Sequence, residues 1–162
     1  MVKRYLAATL LFVAFVASSA EDPFDVGIEA YNAGNFSKAL IFLQSAAQLG
    51  NVYAAVNVGS MYLNGRGVRK NYGEAFKWYR QAAIKGDINA QRQLGEMYWR
   101  GQGVGIDLVA ATTWYGVALS RGDILSQSAY GELEKPLSDY EKGQVAKFVS
   151  QCKSFGYIGC HY

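Results

Sequence analysis

Histidine is nearly absent from this chain: His161, next to the last residue, is the only one. A catalytic nucleophile needs a base within hydrogen-bond reach, most often histidine, and chain ends are usually loosely held. No catalytic residue is therefore assigned. A Ser-x-x-Lys run is missing too, which counts against a serine acyl-transfer mechanism. The Gly-x-Gly stretches at 65–67 and 101–103 lack the Lys-Ser/Thr continuation of a phosphate loop. Acidic pairs such as Glu132 and Glu134 fall on predicted exposed helix surface and read as solvated charges.

Long apolar runs are also scarce. The one at residues 6–17 is too short to span a bilayer comfortably. It follows Lys3 and Arg4 and precedes Ser18 and Ala20, small residues at the minus-three and minus-one positions before Glu21. This is the layout of a secretory signal peptide over residues 1–20; the alternative is an uncleaved N-terminal anchor. No cysteine stands near that point, so nothing suggests a lipid anchor. Without Lys3 and Arg4 the chain keeps 14 basic and 13 acidic side chains, a net +1. Such a balance gives no general reason to seek nucleic acid or acidic membranes. No membrane span is expected in the exported chain, which would be periplasmic or secreted.

Cysteine occurs twice, at Cys152 and Cys160. In an exported chain such a pair suggests a disulfide that staples the tail over residues 152–162. Closing so short a loop stabilises by about 2–3 kcal/mol in the chain-entropy picture. With His161 the two cysteines would supply only three metal ligands, without the usual finger spacing, so no metal is expected.

What the chain does have is internal repetition. Residues 52–87 superpose on 88–123 with a period of 36 and 13 identities. These include Gly59/Gly95, Met61/Met97, Tyr62/Tyr98, Gly65/Gly101, Gly67/Gly103, Trp78/Trp114 and Tyr79/Tyr115. Each unit reads as two helices. Ala55, Val58, Gly59 and Tyr62 recur at helical spacing in the first, with Gly59 admitting a partner helix and Tyr62 filling the gap above it. The glycine loop then breaks the chain. Asn71, with Glu74 three residues on, forms a capping-box pattern, and Asp107 takes the same place in the next unit. Ala75, Trp78, Tyr79 and Ala82 form the buried stripe of the second helix. Gly86 and Gly122 end it, and Asp87 and Asp123 are candidate caps for the first helix of the next unit.

A shorter hairpin at 25–50, without the glycine loop, precedes these units. Ile124, Ser126 and Gly131 keep the register of Ile88, Ala90 and Gly95, so a terminal unit is expected over 124–153. It departs from the pattern at Lys135-Pro136. Ser138 with Glu141 opens a last helix whose apolar positions are Tyr140, Val145, Phe148, Val149 and Cys152. A terminal helix with an otherwise polar face suits the end of an open stack.

The "LG-x-MY" of residues 94–98, the "G-x-GV" of 101–104, the "A-x-x-W-Y" of 111–115 and the closing Ala118 and Gly122 resemble the Sel-one-like repeat, a relative of the tetratricopeptide repeat. The resemblance implies an all-α fold, a right-handed α-solenoid of stacked helical hairpins, as a single domain over 21–162. It also implies binding and scaffolding without a cofactor. In tetratricopeptide units the first helix of each pair lines the concave face. That mapping makes Tyr53, Leu63 and Asn64, then Arg92, Glu96, Trp99 and Arg100, the candidate partner-binding residues. Trp99 and Arg100 replace Leu63 and Asn64 at the same repeat positions, so the fold does not demand them, and Trp and Arg are enriched at binding hot spots. The expected function is an exported scaffold or adaptor that binds a protein or peptide. The alternatives are a cell-wall or polysaccharide-associated glycan-binding factor, or a weak β-lactam-binding enzyme, since some relatives are associated with β-lactams.

Overall fold

Short polar side chains open the helices. Asp22, Asn35, Asn51, Asn71, Asp87 and Asp107 each accept a hydrogen bond of 2.8–3.1 Å from a backbone amide two or three residues on. Each bond satisfies a donor that the first helical turn leaves free. The computed structural model describes residues 21–160; the expected signal peptide and His161 lie outside them. The described residues form α1 (Pro23–Asn32), α2 (Phe36–Gln48), α3 (Val52–Asn64), α4 (Tyr72–Ile84), α5 (Ile88–Arg100), α6 (Leu108–Ser120), α7 (Ser126–Glu134) and α8 (Asp139–Ser154). No strand occurs among them.

The helices pair as α1 with α2, α3 with α4 and α5 with α6, and each hairpin packs on the next through α2–α3 and α4–α5. This is an α-solenoid. The contact layers are built largely from alanine: Ala39, Ala54, Ala75, Ala82, Ala90 and Ala111 are fully buried. Small side chains let the backbones approach closely. Glycine does so further: a β-carbon on Gly59 would stand 3.1 Å from the Tyr79 ring. Tyr79, not Tyr62, therefore fills the space over Gly59. The Tyr62 hydroxyl turns to the preceding hairpin, where it accepts from Gln44 Nε2 at 3.1 Å.

The second glycine of each Gly-x-Gly loop has a role between repeats. Gly67 (φ +71°) and Gly103 (φ +75°) adopt the left-handed conformation. A β-carbon on Gly67 would meet the Phe36 carbonyl at 2.5 Å, and one on Gly103 would collide with the Tyr72 carbonyl. Each loop is thus seated on the first turn of the second helix in the preceding unit. The opposite edge has its own ties. Lys85 Nζ donates to the Gly50 carbonyl at 3.2 Å, and Arg121 donates to the Gly86 carbonyl one unit later.

Several sequence expectations change at the ends of the pattern. The Asn71/Glu74 box is half formed. The Asn71 amide donates to the Tyr62 carbonyl, so Glu74 pairs instead with Lys77 at 2.6 Å. Asp123 does not cap α7; it accepts from the Ser126 hydroxyl at 2.6 Å and faces Arg92 Nε at 3.2 Å. The terminal unit is no hairpin, because α7 and α8 both pack on α6 and scarcely on each other. As a result residues 110–118 of α6 are buried on every face rather than along a stripe. Trp114 is 2% exposed, with Phe148 of α8 edge-on at 6.4 Å. Trp78 has no such cover and is only half-buried. Tyr140, expected on the apolar face of α8, is exposed, and so is Ile124. The Ser138–Glu141 capping box forms in full.

Candidate functional site

Register along the first helices positions the candidate residues. Leu63 and Asn64 end α3, and Arg92, Glu96 and Arg100 follow one another at four-residue spacing along α5. Four residues advance a helix by little more than one turn, so these three lie on one face. The structure brings all five together around an open groove of about 500 Å³. Lys70 and Tyr72 enter it from the glycine loop and the start of α4, Gln93 and Gln102 from α5 and the next loop, and Leu125 from the far side.

A hydrogen-bonded chain fixes the centre. The Tyr115 hydroxyl donates to Glu96 Oε2 at 2.6 Å, and Arg100 donates to the other oxygen, Oε1. Burial, reinforced by the adjacent Glu96 carboxylate, pushes the Tyr115 hydroxyl well above the ordinary tyrosine range. It therefore stays neutral and remains a donor. The Glu96 charge is already balanced within the protein. Arg92 reaches Asn89 Oδ1 at 2.9 Å as well as Asp123. Lys70 lies over the Tyr72 ring, 4.6 Å from its centroid.

Two candidates stand apart. Tyr53 is exposed near the start of α3 and does not line the groove. Trp99 is partly buried against the cluster of Ala111, Tyr115 and Leu133, with the Arg100 guanidinium 5.6 Å from its ring. Sequence reasoning missed Lys70, Gln93 and Gln102, since it considered only lining positions on first helices equivalent to those of tetratricopeptide units. The loop residues Arg66, Arg69 and Lys70 carry a usable signal, because their counterparts one period on are Gln102, Gly105 and Ile106. Among the described residues no group of three or more His, Cys, Asp or Glu is placed to hold a metal. At the tail, Cys152 and Cys160 are paired, buried, and 5.4 Å apart between Cα atoms, within the span a disulfide requires.

The Sel1 repeat model matches residues 25–51, 52–87 and 88–123. The chain belongs to the Sel1-repeat family. Proteins of this family generally mediate protein–protein interactions and are typically non-catalytic scaffolds. Among solved structures, this Sel1-repeat chain is similar to c5321, a protective antigen of uropathogenic Escherichia coli with an SLR fold, at 32% identity and a TM-score of 0.71. The match covers 80% of this chain and 28% of that one, so this chain spans less than a third of the antigen's length. It is also similar to a Sel1 repeat protein from Oxalobacter formigenes, at 31% identity and a TM-score of 0.64, covering 76% of this chain and 98% of that one. No curated protein matches.

Proposed function

We propose that this Sel1-repeat protein is an exported adaptor that holds a segment of a partner protein in the groove between α3, α5 and α7. The observation that carries this reading is the groove itself. Its open volume of about 500 Å³ is lined in part by side chains that the repeat does not require. Arg92, Glu96 and Arg100 stand where the preceding unit has Val56, Ser60 and Asn64, while Gly95, Met97 and Tyr98 keep the pattern of Gly59, Met61 and Tyr62. The carboxamides of Gln93 and Gln102 offer a donor and an acceptor each, the pair of functions a peptide backbone presents. Export is supported by the layout of residues 1–20 and by a cysteine pair suited to an oxidising compartment. No helix among the described residues is long and apolar enough to cross a membrane.

A photo-crosslinking residue at Gln93, with Lys77 on α4 as a control position, tests the reading in the native cell envelope. Polypeptide adducts at 93 and none at 77 are expected. Adducts at 77 alone would move the binding face, and retention on peptidoglycan or polysaccharide without polypeptide adducts would replace the partner class with a glycan.

A further inference from the structure

Charge is unevenly distributed along the solenoid. Residues 21–51 carry one basic and four acidic side chains, residues 124–160 four of each, and residues 52–123 nine basic and five acidic. All five acids of this middle stretch are engaged. Glu74 pairs with Lys77, Asp87 and Asp107 cap helices, Glu96 is held by Tyr115 and Arg100, and Asp123 faces Arg92. Several of the bases have neutral partners. Lys85 and Arg121 bind carbonyls, Arg66 binds the Tyr31 hydroxyl, and Lys70 rests on Tyr72. Arg69, next to Lys70, is exposed.

Part of that surplus borders the groove: of its three lining bases Arg92 faces Asp123 and Arg100 holds Glu96, while Lys70 rests on a neutral ring. Stability does not ask for it. The next glycine loop is seated in the same way with Gln102, Gly105 and Ile106 in place of Arg66, Arg69 and Lys70. A charge cluster that packing does not require, set beside a groove of polar side chains, adds to the local field and attracts opposite charge.

Resting on the adaptor reading, we infer that the groove selects an acidic, extended polypeptide segment, with its carboxylates facing Lys70 and the exposed Arg69 beside it. A concave polar groove suits a chain better than a flat anionic lipid surface, and the lining amides suit its backbone.

The test is a fluorescence-anisotropy series on the purified protein. The probes are decapeptides of equal length in which Glu, Gln or Lys alternates with Ser, and anionic phosphatidylglycerol vesicles serve as a separate arm. Glu peptides should bind in preference to Gln and Lys peptides, and more weakly as salt rises from about 50 to 300 mM. The reversal Arg69→Glu/Lys70→Glu should weaken Glu-peptide binding about tenfold or more while the circular dichroism spectrum is kept. The Lys77→Glu variant, on α4 and outside the groove lining, should bind like the parent. No preference for Glu peptides, or a preference that survives the double reversal, overturns the inference. So does binding to vesicles with none to peptides. Crosslinking at Gln93 is read independently, so polypeptide adducts without acidic preference would remove the charge selectivity alone.

Discussion

The ring of Tyr115 lies against Gly95 so closely that a β-carbon there would stand 2.9–3.0 Å from three of its carbons. The same contact sets the hydroxyl on Glu96, one residue along α5. A packing requirement in the repeat thus places a polar group at the floor of the groove. Gly95→Ala should displace the ring and cost about 1–3 kcal/mol, as overpacking does. Tyr115→Phe keeps the ring and removes only the bond to a charged acceptor, about 1.5–3 kcal/mol. Denaturant melts of the two variants check both values, and an unchanged midpoint for Tyr115→Phe would show that the bond contributes nothing.

The buried tyrosines make stability depend on alkali. Burial raises Tyr79 from the ordinary 10.0 to about 12 and raises Tyr115 as well. Unfolded chains lose these protons first. The stabilising contribution is therefore complete below pH 10 and is lost as pH rises through about 12 for Tyr79. Absorbance titration should show Tyr79 and Tyr115, with Tyr98 and Tyr130, ionising later than exposed tyrosines, and the melting temperature should fall above pH 10. Tyr79→Phe should lessen that fall.

Trp114, Trp99 and Trp78 should rank in their response to alanine. Trp114, enclosed by α8, should cost about 3–5 kcal/mol. Half-buried Trp78 and Trp99 should cost less, about 1–3 kcal/mol each. The two repeat-matched tryptophans look alike in sequence. What separates them is the return of α8 over α6, a long-range event with no local signature except that α6 carries no charged residue over 13 positions. The hairpins and the loop glycines were legible because they recur at a fixed period. So was the α5 face of the groove. The pairing of Asp123 with Arg92 was not, because it depends on how a non-repeating unit begins.

The tail ring should behave as a tie across two units. The Gly159 amide donates to the Ile84 carbonyl at 2.6 Å, and Tyr157 stacks under Arg121 with its centroid 4.9 Å away. Non-reducing peptide mapping should find Cys152 joined to Cys160. Cys160→Ser should cost about 2–3 kcal/mol and speed hydrogen exchange at Gly159, leaving α3 unaffected. Exchange that stays slow at Gly159 would mean the tail is held without the bond.

Gly34→Ala and Gly103→Ala both put a side chain at positive φ, yet only the second meets backbone. The first should cost about 1 kcal/mol for conformation alone. The second should cost about 2–4 kcal/mol, since a collision with the Tyr72 carbonyl is added. Equal losses would show that the loops are not seated on their neighbours.

Seat and plug belong to different units: residue 72 receives what residue 103 offers, as residue 36 receives what residue 67 offers. Residues 52–87 thus carry one of each, like a brick with a stud on one side and a socket on the other. A second copy of residues 52–87 inserted after Asp87 would find both of its neighbours already shaped for it. The chain can therefore be lengthened by whole periods without redesign of its joints, and each added block would extend the row of lining positions that a longer guest could occupy.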